Sequence, residues 1–316
     1  MKLQPFLFFW SSFLLVTFLM PFFIQILKRQ QIGQIVREEG PKDHLSKTGT
    51  PTMGGILFIV VGTLLFGLYM STQPFAVQNL LPIYLLLSYA SIGLLDDVRK
   101  TILRSPYGLK AREDIALQII ASIPVIVWVY LFSNSTFMIL GWIVFEVFFI
   151  LSVVNSVNLT DGIDGLLGSI SIPIFLFYAI ILYSQGHYAG VIFSLIMTGA
   201  LLGFMIFNAY PAKVFMGNVG SFAIGGAIVA LAILSHTEFY LLLVGLLFVW
   251  EALSVILQVG WFKYTKRKFG EGKRIFLMSP YHHHLELKGY SETQIVVLFT
   301  SLEIVLCTLA GAIYFL

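Results

Sequence analysis

The chain has 316 residues, of which 58% are hydrophobic and 11% charged, and its mean hydropathy is +0.90. Soluble domains run near 25% charged, so the composition excludes an ordinary water-soluble protein. The net charge of +3 comes from basic residues gathered between apolar runs and does not point to nucleic acid.

At about 20 residues per crossing, this length holds about ten spans. Apolar runs fall near 6–27, 53–71, 79–95, 114–132, 139–156, 163–183, 188–208, 219–235, 239–262 and 293–316. They predict an all-α, polytopic membrane protein with ten transmembrane helices, because a chain in hydrocarbon must bond its own backbone. The first run is too long and too weakly flanked for a cleaved signal peptide, so it is expected to be retained. Pro21, Pro82, Pro124 and Pro173 fall within runs, where kinks are tolerated. No internal repeat or linker is visible, and residues 1–316 read as a single domain.

The gaps alternate in charge. Five Lys and Arg lie in 28–52, five in 96–113, one in 209–218 and seven in 263–292; only Lys2 of the nineteen is left over. The other gaps, 72–78, 133–138, 184–187 and 235–238, carry a single charge, Glu238. Basic loops stay cytoplasmic, so both termini are expected outside and the basic gaps inside. The exterior loops are too short for a receptor domain. Asn134-Ser135-Thr136 and Asn158-Leu159-Thr160 match the glycosylation pattern, but the second lies on the wrong side and the first reads as chance.

The polar clusters sit on the basic side. Residues 47–55, KTGTPTMGG, combine Lys, Thr and Gly ahead of a helix start, which suits an anion or an ordinary capped helix. They are not a P-loop. Asp96-Asp97 closes the third run. Adjacent acids at a helix C-terminus repel, and a bound cation or basic neighbours would relieve them; a solvated end beside Arg99 and Lys100 is the alternative. In 155–168, NSVNLTDGIDGLLG, Asn155, Asn158 and Asp161 are three apart and share a helical face or its fraying end. Asp161 and Asp164 each precede a Gly that allows close approach to a ligand, and two amides with two acids exceed what capping requires. Residues 208–221, NAYPAKVFMGNVGS, hold Phe215 and Asn218 among glycines and read on pattern alone as a turn.

His282-His283-His284 follows Lys273 and Arg274. Consecutive helical residues splay about 100° apart, so the three cannot share one metal. They can meet phosphates or carry protons, or form a solvated run. Glu146, Glu251 and Glu303 lie inside apolar runs and are functional candidates or packing bonds. The single cysteine, Cys307, permits no internal disulfide and reads as packing. Acids imply Mg²⁺, while Lys, Arg, His and glycine turns imply phosphate. At an inner membrane face that combination suggests phosphoryl chemistry between a nucleotide and a lipid.

KTGTPTMGG, Asp96-Asp97, NSVNLTDGIDGL, PAKVFMGNVGS, LSVILQV and GKRIFLMSPYHHHLE occur in one order along essentially the whole chain. In that set the chain resembles the phospho-N-acetylmuramoyl-pentapeptide transferases (MraY family). The resemblance implies ten transmembrane helices, a homodimer and a Mg²⁺-dependent active-site cleft at the cytoplasmic face of the bacterial plasma (inner) membrane. It implies transfer of phospho-MurNAc-pentapeptide from UDP-MurNAc-pentapeptide to the membrane lipid undecaprenyl phosphate, giving lipid I and UMP. Carried over by position, Asp96 would contact or deprotonate the lipid phosphate with Asp97 beside it. Lys47, Thr52 and Asn155 would line the cleft. Asn158, Asp161, Asn208 and Gln258 would surround the nucleotide-sugar, Asp164 and Phe215 would hold uracil, and His282, His283 and His284 would approach the diphosphate and sugar.

Two positions depart from the pattern. Asn218 stands where the family's Met-Gly-Asp motif has the Asp expected to bind Mg²⁺. Asp114 stands where a Lys is expected. The first departure admits a catalytically impaired paralogue that binds nucleotide-sugar or lipid carrier. The three intramembrane Glu admit a transporter, although transporters gather polar groups at mid-membrane.

Overall fold

The computed structural model describes residues 3–30, 47, 49–103, 108–132 and 139–316. Residues 31–46, 48 and 104–107 of the basic gaps, and the loop 133–138 with its Asn134-Ser135-Thr136 pattern, lie outside the described residues. Among the described residues the fold is helical throughout. The helices are α1 (Gln4–Arg29), α2 (Gly55–Met70), α3 (Leu81–Thr101), α4 (Ala111–Phe132), α5 (Ile139–Thr160), α6 (Leu166–Ser184), α7 (Tyr188–Asn208), α8 (Gly217–Leu234), α9 (Leu241–Val244), α10 (Leu246–Phe269), α11 (Tyr281–Leu287) and α12 (Glu292–Phe315).

Eight of these helices, α3 counted with the short 3-10 turn Val77–Leu80 that leads into it, are long and apolar enough to cross a membrane by length and composition. The other two expected spans correspond to α2 and α4. Helix α2 has 16 residues, about 24 Å at 1.5 Å per residue, short of a hydrocarbon core of ~30 Å. Helix α4 has 22 residues, and after Arg112, Glu113 and Asp114 in its first turn the remaining run 115–132 carries no charge. The run expected over 239–262 is broken at Gly245, which separates α9 from α10.

Helix α8 is the centre. Every residue from 219 to 234 is buried, as an apolar sequence with no polar face requires. Its neighbours reach it because small residues remove the side chains that would hold them off. A Cβ on Gly93 of α3 would lie 2.1 Å from the Asn218 carbonyl oxygen, and one on Gly55 of α2 would lie 2.5 Å from the Gly220 Cα. The outer helices α1 and α12 leave Phe6, Phe18, Phe22, Ile304, Val305 and Ile313 exposed, a continuous apolar surface suited to lipid.

Three helices run further than their hydropathy suggests. Helix α3 continues through Asp96-Asp97 to Thr101, α5 carries Asn155 and Asn158 to Thr160, and α10 extends past 262 to Phe269. In each case polar residues end the apolar run, whereas backbone hydrogen bonding carries the helix on. The ends of α3, α5, α7 and α10 therefore meet the starts of α2, α6, α8 and α12 at one end of the bundle.

Candidate functional site

Asp97 caps α8 from another helix. Its Oδ1 accepts from the Asn218 N–H at 3.1 Å and its Oδ2 from the Val219 N–H at 2.9 Å. These are first-turn donors with no partner inside α8, at the end where the helix dipole favours an anion. A Cβ at Gly217, whose φ is +75°, would sit 2.7 Å from Asp97 Oδ2, so glycine there allows the carboxylate to close on the helix.

Asp96 is held from three sides. Its Oδ1 accepts from the Leu109 N–H at 2.6 Å. Its Oδ2 accepts from Asn218 Nδ2 at 2.5 Å and lies 2.5 Å from the Lys100 ammonium. Both acids are buried, so the reading of a solvated helix end does not hold. Arg99 turns away to pair with Glu113 on α4, whose carboxyl is held below its ordinary range by that hydrogen bond.

The segment before α2 lies along the one before α8. The Phe215 N–H donates to the Pro51 carbonyl at 2.7 Å, and Gly54 and Gly55 donate to Phe215 and Met216 at 2.9 Å each. Thr52 is buried beside these bonds, and Asn208 donates to the Val214 carbonyl at 2.9 Å. Ahead of this ladder, Lys47 Nζ lies 2.7 Å from Asp164 Oδ1 and 2.6 Å from Glu292 Oε1. Burial works against the Lys47 charge, but hydrogen bonds to Asp164 and Glu292 more than offset it and raise its pKa above 10.5. Asp164 also accepts from the Ala212 N–H at 2.8 Å, and its own N–H donates to Glu292 at 2.9 Å.

Asn155 and Asn158 face different helices. Asn155 exchanges amide hydrogen bonds with Gln118 of α4, at 2.8 and 3.3 Å, and Asn158 accepts from Ser221 of α8 at 2.7 Å. Asp161, in the turn between α5 and α6, is half-buried. Burial lifts its carboxyl to about 7, with the Asp97 and Asp164 charges adding.

The histidine run forms α11 and its members diverge. His282 is fully buried; Glu251 of α10 accepts from its N–H at 3.2 Å and meets its Nδ1 at 3.1 Å. Its Nε2 points at Gly162, where a Cβ would come within 2.0 Å. His283 Nδ1 meets Glu286 at 2.5 Å. His284 accepts from the Leu277 N–H at 3.1 Å and packs on Tyr281; burial and then the Lys288 charge lower its pKa. The alternative of a solvated histidine run fails at His282. Gln258 is occupied by the following loop, accepting from Ile275 and Phe276 and donating to the Phe276 carbonyl at 2.8 Å.

Asp96, Asp97, Asn158, Asp161, Asp164, Lys47, Thr52, Phe215, Asn218 and His282 thus gather at one end of the bundle around the start of α8. Gln258 and Asn155 brace its edges. Sequence reasoning missed Glu292, which is hidden in the SETQ capping box that starts α12. It flagged Glu251 as an intramembrane acid without its partner; of the two readings it left open for Asp96-Asp97, relief by a basic neighbour holds, with Lys100 on Asp96.

Residues 79–236 match the family described as glycosyl transferase family 4, and residues 47–59 match the phospho-N-acetylmuramoyl-pentapeptide-transferase signature 1. The phospho-N-acetylmuramoyl-pentapeptide-transferase of Geobacillus sp. (strain WCH70) is 43% identical, over 91% of each chain. That of Bacillus subtilis (strain 168) is 43% identical over 94% of each. The chain belongs to the phospho-N-acetylmuramoyl-pentapeptide-transferase family. A more distant member, from Clostridium botulinum (strain Eklund 17B / Type B), is 40% identical over 91% of this chain and 89% of its own. Family membership makes the chain a transferase, and the transporter reading is set aside.

The resemblance implies Mg²⁺, which prefers open carboxylate oxygens in octahedral array. The arrangement around Asn218 does not fit that need. Both Asp97 oxygens hold the start of α8, both Asp96 oxygens accept from protein donors, and the Asn218 amide presents nitrogen rather than oxygen to Asp96. Among the described residues no three His, Cys, Asp or Glu converge as a ligand set.

Proposed function

We propose that this chain transfers phospho-MurNAc-pentapeptide from UDP-MurNAc-pentapeptide to undecaprenyl phosphate, producing lipid I and UMP at the cytoplasmic face of the bacterial plasma membrane. The observation that carries the reading is the convergence of residues 47 and 49–55, 96–97, 155–165 and 211–221 with His282 at one end of the bundle, in a chain that matches relatives bearing that enzyme's name along nine-tenths of their length. A homodimer, which the resemblance also implies, belongs to the same proposal.

The chemistry needs positioning more than covalent assistance. A lipid-phosphate oxygen attacks the β-phosphorus of the nucleotide-sugar, a new P–O–P bond forms, and the bond to UMP breaks. In this scheme Asp96 faces the lipid phosphate, and Asp97 fixes the α8 start beside it. Lys47, Asp164 and Glu292 hold the wall on which the nucleotide rests. His282, oriented by Glu251 and packed against Gly162, backs the side of the cleft that the diphosphate or sugar approaches. No step is routed through a metal.

The test is UMP release by the purified protein in detergent with both substrates across a Mg²⁺ titration, beside Asp96→Asn. Turnover that Asp96→Asn lowers at least a hundredfold supports the proposal. Binding of UDP-MurNAc-pentapeptide with no turnover at any Mg²⁺ concentration overturns it in favour of a binding paralogue.

A further inference from the structure

Position 218 is fixed by its backbone. Its N–H is held by Asp97 at 3.1 Å, and its carbonyl lies against Gly93, where even a Cβ would approach to 2.1 Å. Only the end of the side chain is free to differ between Asn and the Asp that the family pattern expects. That end lies 2.5 Å from Asp96 Oδ2. A carboxylate can only accept, so the Asn218 amide must turn its nitrogen toward it. Beside it the Lys100 ammonium reaches the same oxygen at 2.5 Å, and the Leu109 N–H takes the other at 2.6 Å. One buried carboxylate therefore has three donors, one of them cationic.

An Asp at 218 would reverse this. Two carboxylate oxygens at that separation have no hydrogen between them, and in a buried setting their repulsion requires a proton or a cation. The Asn/Asp difference thus separates a cleft that needs a cation from one that satisfies itself. To admit Mg²⁺ here, the protein would have to displace Lys100 and flip an amide that brings no charge.

We infer that Asn218 does by hydrogen bonding what a divalent cation does by charge, so that the free protein holds Asp96 and Asp97 in place without a metal between them and position 218. The inference rests on the family reading only for the Asp expected at 218. Its test reads metal binding and stability, so a silent transferase assay leaves it standing.

The experiment uses purified, EDTA-stripped protein in detergent, wild type beside Asn218→Asp, without nucleotide. Mn²⁺ is titrated and its free signal followed by electron paramagnetic resonance. Asn218→Asp is expected to take up about one Mn²⁺ per chain at concentrations at least tenfold below any uptake by the wild type. Without metal, Asn218→Asp should melt below the wild type and recover when Mg²⁺ or Mn²⁺ is added, whereas the wild-type Tm should not respond. Wild-type uptake of one Mn²⁺ per chain, as tight as in Asn218→Asp and lost in Asp96→Ala, would overturn the inference. So would an Asn218→Asp protein whose melting ignores metal. Should Asn218→Asp fail to fold, the wild-type titration with its Asp96→Ala control decides alone.

Discussion

Lys47 reaches Asp164, 117 residues on, and Glu292, 245 residues on. One ammonium thereby ties the segment before α2 to the α5–α6 turn and to the first turn of α12. Its folded-state pKa is raised, so the stabilisation is fully present at neutral pH and fades only as pH climbs beyond 10.5. Removing one partner of a buried pair leaves the others uncompensated, at a cost of about 3–5 kcal/mol. The 14% exposure of the Lys47 side chain places this case at about the lower end. Lys47→Met is expected to lower the Tm in detergent markedly, and Glu292→Gln, which keeps the ammonium paired with Asp164, to lower it less. Equal and small losses in both would show that the triad is not what holds the wall. Asp161 gives a second expectation at this scale. Its carboxyl is raised on folding from 3.8 to about 7, so its contribution is fully present below the lower value and is lost as pH rises through the upper one. Relative to Asp161→Asn, the wild-type Tm should fall between about pH 4 and 7 and level off above that; parallel Tm curves for the two proteins would count against the raised value.

Among elements, the crossing of α3 and α8 positions the acids. Gly93 touches the Asn218 carbonyl, and Asp97 grips the same turn one helical rung on. Gly93→Ala inserts a methyl where none fits, and overpacking of this kind costs about 1–3 kcal/mol. The larger effect is expected in catalysis, because displacing a reacting group by about 1 Å costs on the order of a hundredfold. Gly67→Ala in α2 is the control: its Cβ meets open space, so the change should raise helix stability by about 0.5–1 kcal/mol and leave UMP release unchanged. If Gly93→Ala also leaves the rate unchanged, the crossing does not set the acid geometry. The same elements mark how far the sequence could be read. Hydropathy located the helices, because burying a backbone in lipid leaves few alternatives. It could not show that Asp96 and Asp97 are buried at the end of α3, since their partners, the Leu109 and Val219 N–H groups, come from other segments. His282 with Glu251 and Lys47 with Glu292 were equally hidden. Each residue was visible, but nothing in linear spacing links α10 to α11 or residue 47 to α12.

At the scale of the whole molecule, the charge pattern makes a claim about direction. The described segments at the site end carry Lys47, Lys100, Lys213, Lys273 and Lys288, whereas the opposite loops carry only Glu238. Basic loops within 15–20 residues of a span resist translocation, and seven basic residues in 263–292 make that segment the strongest determinant. The site end is therefore expected to face the cytoplasm, where a soluble nucleotide-sugar is found. The single cysteine makes the test simple: Cys307→Ala removes it, and Glu271→Cys or Ser71→Cys introduces a reporter at one end or the other, both positions being exposed. In intact cells a membrane-impermeant maleimide should label Ser71→Cys, and should label Glu271→Cys only after permeabilisation. The reverse pattern would put the polar cleft outside. No cytoplasmic nucleotide-sugar could then reach Asp96, and the proposed reaction would fail with the orientation.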